Sequence, residues 1–200
     1  MKQFTKAAIR TQPKDVLGWA TAYFMALHKG EEPPVKERYE MPKATQKTDS
    51  GLTIGLLKVL NRQLRDKDKV TADIIEGKWK ALDLPKEQFD ELLKIGDLHG
   101  SFEWEKFLAL AASALAENIQ IAITNLCETV TDDLEGGPSR ISIEKFEFFY
   151  TYLAALDEEI QPDYVSDVLK HYKSVASHHD GYIQPSFFQV TESPSLYPKK

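Results

Sequence analysis

Hydrophobic positions follow helical steps from the first residue onward. Phe4, Ala8 and Thr11 fall on one side of a helix, and Met1, Thr5 and Ile9 fall on a neighbouring side. A Gln-Pro pair at 12–13 marks a corner. In the helix that follows, Val16, Trp19, Ala20, Tyr23, Phe24 and Leu27 recur three and four residues apart. That stripe is too wide for a helix standing alone. Two helices this short cannot bury so much aromatic surface between themselves. Self-association of two such hairpins into a four-helix bundle is the economical solution.

The hairpin is expected to occupy residues 1–29, with a linker over 30–51. Pro33, Pro34 and Pro42 lack amide donors and restrict their neighbours, and the stretch 43–51 is polar. Helical periodicity resumes at Leu52, Leu56, Val59 and Leu60 and continues to about residue 190. No long alternating strand interrupts it. The expectation is an all-α chain: a hairpin at 1–29, a helical domain at 52–190 and a flexible tail at 191–200.

Within that second region a weak repeat is visible. Val70/Ile75, Phe102/Phe107, Ile141/Phe146 and Ile183/Phe188 each place two hydrophobes five residues apart where a loop gives way to a helix. This is the relation between the eighth loop position and the first core residue of the following helix in an EF-hand. Two paired helix-loop-helix units are one reading, and a generic helical bundle with polar loops is the other.

Calcium ligands are missing from these loops. Tight binding needs carboxylates at the first, third and fifth positions and a bidentate Glu at the twelfth. The fourth loop offers Ala176, His178, Asp180 and Phe187 there; the second starts at Ile95 and ends at Lys106. The third has acids at Asp132, Asp133 and Glu135, but Pro138 displaces a ligand and Lys145 is twelfth. The first carries Gln63, Arg65 and Lys67. His178-His179-Asp180 is a poor zinc cluster, because no Cys or further His stands at ligand spacing, and His28, His99 and His171 are scattered. No metal and no cofactor is expected.

Two hundred residues with 42% hydrophobic and 28% charged side chains fit one large or two small globular domains. The net charge of −6 argues against a nucleic-acid binder. No apolar stretch reaches membrane-span length, and no basic-then-apolar leader opens the chain, so secretion is not expected. The single cysteine, Cys127, can form no internal disulfide and sits among apolar neighbours, which suits a buried small residue. No phosphate-binding glycine loop, nucleophile elbow or kinase signature is present. Gly136-Gly137 ahead of Pro138 marks a helix stop and turn.

The run KQFTKAAIRTQPKDVL at 2–17, YF at 23–24 and PPVKER at 33–38 resemble the type II dimerisation and docking domain of the regulatory subunit of cyclic-AMP-dependent protein kinase. MPKATQKTDSGLT at 41–53, LPKEQF at 84–89, KFLAL at 106–110 and CETVTDDLEGGPSRI at 127–141 extend the likeness. Through them nearly the whole chain resembles the ropporin family, subunits of the ciliary radial spoke and sperm fibrous sheath. The resemblance implies a non-catalytic dimeric adaptor of the axoneme. Its paired first helices would clamp the amphipathic helix of an A-kinase-anchoring-type protein, such as a spoke-stalk subunit, by the helix-in-groove mode. A homodimer and a heterodimer with a related docking protein are both compatible.

Residue by residue, the resemblance puts the groove at Met1, Lys2, Thr5, Lys6 and Ile9, and the dimer core at Phe4, Ala8, Val16, Trp19, Ala20 and Phe24. The family has an apolar or acidic choice where Ala7 and Lys6 stand. It also carries a segment of the Ile-Pro-Pro-Glu-Leu-Pro type ahead of this point, whose turns are expected to contribute to docking. The alternative is a calcium- or ligand-sensing helix-loop-helix protein oligomerised by its N-terminus. A kinase regulatory subunit is not expected, because no cyclic-nucleotide-binding barrel follows the docking segment.

Overall fold

Nearly all regular structure in the computed structural model is helical, as the periodicity predicts. It describes residues 2–36, 51–190 and 193–198, and the chain divides into two compact units, residues 1–107 and 108–200. Most of the stretch expected as a linker, residues 37–50, lies outside the described residues.

The first unit opens with α1 (Lys2–Thr11) and α2 (Val16–Lys29). Pro13 prevents α1 from running on, and Gln12 makes the turn at a positive φ of 49°. Asp15 caps α2, its Oδ1 accepting from the Leu17 and Gly18 amides at 3.0 Å each. Gly30 ends that helix at φ 70°. Its amide donates to the Leu27 carbonyl, and the Glu31 amide donates to the Ala26 carbonyl, the paired bonds that a left-handed glycine permits.

The same unit continues with α3 (Ile54–Leu64), β1 (Lys69–Thr71), α4 (Ala72–Ala81), α5 (Lys86–Ile95) and β2 (Ser101–Glu103), and ends inside α6 (Trp104–Ser113). Its core gathers Trp79, Phe89, Trp104 and Phe107, with ring centroids 5.5–5.8 Å apart. Each buried indole N–H finds an acceptor: Trp79 donates to the Pro85 carbonyl at 2.8 Å and Trp104 to Asn61 Oδ1 at 3.0 Å.

The second unit holds α7 (Ile119–Val130), β3 (Ile141–Ser142), α8 (Ile143–Ala155), α9 (Pro162–Ser177), β4 (Tyr182–Ile183) and a short 3₁₀ turn (Pro185–Gln189). Phe146, Tyr150, Tyr172 and Phe188 interleave at its centre. Over residues 193–198 the expected flexible tail is laid against this aromatic row, with Leu196 fully buried.

The four loop hydrophobes of the repeat meet in pairs. Val70 stands opposite Phe102 in the antiparallel ladder β1–β2, and Ile141 stands opposite Ile183 in β3–β4. Their partners five residues on, Ile75, Phe107, Phe146 and Phe188, are all buried. Each ladder therefore joins two loops: in the first unit those leading into α4 and α6, in the second those leading into α8 and the 3₁₀ turn.

Candidate functional site

The hairpin already has a core of its own. Ala7, Trp19 and Tyr23 are buried together, with Phe4, Ala8, Ala20 and Val35 packed around them. Trp19 is 2% exposed, and its indole N–H donates to the Pro34 carbonyl at 2.7 Å. Phe4 is the hub of the aromatic contacts, with centroids 5.4 Å from Trp19, 5.3 Å from Tyr23 and 5.1 Å from Phe24.

Residues 31–36 fasten this core to the rest of the first unit. Arg62 Nη2 donates to the Val35 carbonyl at 2.6 Å, and Gln63 Nε2 donates to the Glu32 carbonyl at 2.7 Å. Lys78 meets Glu31 at 2.7 Å and holds that carboxyl below its ordinary value. The Lys36 amide donates to the buried Thr11 hydroxyl at 3.2 Å.

With the interior satisfied, a second apolar row remains on the outside. Val16 is 57% exposed and Phe24 51%, with Leu27 exposed and Ala20 half-buried; their spacing puts all four on one side of α2. Ile9 on α1 is 64% exposed.

The residues expected to contact partners are thus spread over three environments. Lys2, Thr5, Lys6 and Ile9 are exposed on α1; Met1 lies outside the described residues. Val16 and Phe24 are exposed, Phe4, Ala8 and Ala20 are half-buried, and Trp19 is enclosed by its own chain. Trp19 can therefore support pairing only by shaping the hairpin. Sequence reasoning passed over Leu17, which is 80% exposed, and Met25, because both fall off the main stripe.

Elsewhere the ionisable candidates are engaged in structure. Asp133 in the third loop accepts from the Arg140 amide at 2.8 Å and from its guanidinium at 2.7–3.2 Å. The guanidinium holds that carboxyl down at about 2. A cation of the chain itself thus occupies this acid. His178 Nδ1 lies 2.8 Å from the Ser174 carbonyl, and the His179 ring leans on Phe187. No group of three or more His, Cys, Asp or Glu side chains among the described residues could hold a metal. Cys127 is fully buried, and burial pushes its thiol pKa up. An open, mostly apolar cleft of about 770 Å³ runs between α8 and α9 over Ala154, Ile160, Val165 and Leu169, with Lys173 and Glu147 paired on its rim.

Three family models match the chain. The Ropporin N-terminal domain covers residues 1–31, the Ropporin middle domain 55–117 and the Ropporin C-terminal domain 118–183.

Proposed function

The chain belongs to the ropporin family, and from that premise we propose that it is a non-catalytic dimeric adaptor. Two copies, or one copy and a related docking protein, pair through their hairpins. The paired first helices take the amphipathic helix of an A-kinase-anchoring-type protein, in the axoneme of a cilium or flagellum, as part of a radial spoke that supports motility. The observation that carries this reading is the exposed row Val16, Phe24 and Leu27 on α2, with Ile9 exposed on α1, in a hairpin whose own core is complete. Apolar side chains left outside a filled core mark an interaction surface. The cleft between α8 and α9 would serve as a second packing surface, holding the adaptor to its neighbours.

Pairing and docking use different faces, so one substitution separates them. Ile9→Asp places a carboxylate where the partner's apolar anchor lands, and an unpaired desolvated charge costs several kcal/mol. Affinity for a fluorescent amphipathic anchoring helix, measured by anisotropy, falls roughly a hundredfold or more. The dimer survives, because Ile9 points away from Phe4 and Ala8. A lost dimer with unchanged affinity per dimer would reverse the two faces. If neither quantity moves, docking by this hairpin is wrong.

One observation favours a sensor instead: the loops are paired as calcium-binding loops are. Their side chains weigh against it, above all Lys106, Lys145 and Phe187 at the twelfth positions, none of which can supply a bidentate carboxylate. Calorimetric titration with calcium should give no saturable heat in the micromolar range where sensors work. A stoichiometric heat would favour the sensor over the adaptor.

A further inference from the structure

Residues 193–198 belong to no helix or strand, yet they are held along their length. Tyr172 Oη donates to the Pro194 carbonyl at 3.1 Å and Tyr150 Oη to that of Leu196 at 3.0 Å. Between them, Tyr164 Oη lies 2.7 Å from the Ser195 carbonyl and 3.2 Å from that of Tyr197. Four successive carbonyls thus accept from three phenols on two helices, while the Leu196 side chain is fully buried and the Tyr197 hydroxyl donates to the Glu159 carboxylate. Burial raises all three phenol pKa values, Tyr172 to about 12, so each keeps the proton it donates. Apart from the Ser193 amide, which donates to the Val190 carbonyl at 3.0 Å, the hydrogen bonds that hold this backbone among the described residues come from side chains. The segment can leave without breaking a ladder or a helix.

At its start stands Ser193, half-buried, followed by Pro194. Its side chain stands near enough to Tyr172, the group that holds the Pro194 carbonyl, to oppose the upward push of burial on that phenol's pKa. A serine before a proline is the acceptor that proline-directed protein kinases take.

We infer that Ser193 is a phosphorylation site for a proline-directed kinase, and that its phosphate releases residues 193–198 from the tyrosine row. In the step, Ser193 Oγ bonds to the γ-phosphorus of ATP, the bond from that phosphorus to the bridging oxygen breaks, ADP leaves and the hydroxyl proton is lost. The product places between one and a half and two negative charges, roughly, and three acceptor oxygens beside Tyr172. Those oxygens compete with the Pro194 carbonyl for the phenol proton. The added charge also sits against the buried Tyr172 ring, where charge is disfavoured. Glu159, which holds the Tyr197 hydroxyl farther along the segment, is itself acidic and offers no compensation.

The test uses the full chain, ATP and a proline-directed kinase. Mass spectrometry should place one phosphate on Ser193, and Ser193→Ala should abolish it. Thermolysin should then cut the Ser195–Leu196 bond at least tenfold faster in the phosphorylated chain, with far-UV circular dichroism unchanged. Leu196→Asp, which expels the buried leucine without any phosphate, should give the same acceleration. The inference is overturned if the kinase labels a free peptide of residues 188–198 but not Ser193 in the folded chain. It is equally overturned if the phosphorylated chain is cut no faster than the unmodified one, or if Leu196→Asp leaves the cleavage rate unchanged.

Discussion

Trp19→Ala should destabilise the first unit by about 3–5 kcal/mol, the range for truncating a fully buried aromatic. The indole fills the middle of the hairpin core against Phe4 and Tyr23. Its N–H also satisfies the Pro34 carbonyl, so truncation leaves that buried acceptor without its donor. Urea unfolding of the full chain, followed by far-UV circular dichroism, measures the loss. Trp19→Phe keeps the six-membered ring and loses the pyrrole half with its hydrogen bond, so it should cost less than the alanine. A loss below about 1 kcal/mol for Trp19→Ala would mean that the core is not organised around this side chain, since surface truncations fall in that range.

Phe24→Asp should do the opposite: spare the fold and destroy the pairing. Phe24 is half exposed, so a carboxylate there stays in water within one chain, and the intramolecular cost is mainly the stacking contact with Phe4, about 1 kcal/mol. In a dimer that buries the Val16–Phe24–Leu27 row, the same charge is desolvated without a partner, at several kcal/mol. The dissociation constant should rise by about a hundredfold or more in sedimentation. An unchanged association constant would place Phe24 outside the interface.

The contrast between these two residues also marks where sequence reading stops. Both lie on one stripe at three- and four-residue steps, and periodicity identifies that stripe without dividing it. When the apolar arc exceeds half the helix, spacing cannot tell which side faces the chain's own core. The division here is made by Phe4, which covers Trp19 and Tyr23, and by residues 31–36, whose carbonyls capture the Trp19 indole and the Arg62 guanidinium. A short polar segment returning across a helix leaves no periodic trace.

The loop pairs were legible for the reverse reason. Val70, Phe102, Ile141 and Ile183 each stand at a fixed distance before a core residue, and that local relation survives the loss of the first and twelfth calcium ligands in every loop. Apolar pairing between loops depends on two side chains, whereas metal binding depends on five or more. The tyrosine row was not legible, because Tyr150, Tyr164 and Tyr172 act through hydroxyls on carbonyls more than twenty residues away. In the sequence they read only as aromatic members of α8 and α9.

Stoichiometry tests the central claim most directly. The full chain at micromolar concentration is titrated with a single amphipathic anchoring helix of about eighteen residues, and the mass of the complex is measured by sedimentation equilibrium. Two chains pairing through exposed hairpin faces build one shared groove, so the account predicts two chains per helix, with the dimer present before the helix is added. A monomer that binds one helix per chain, or a dimer that binds none, would contradict it.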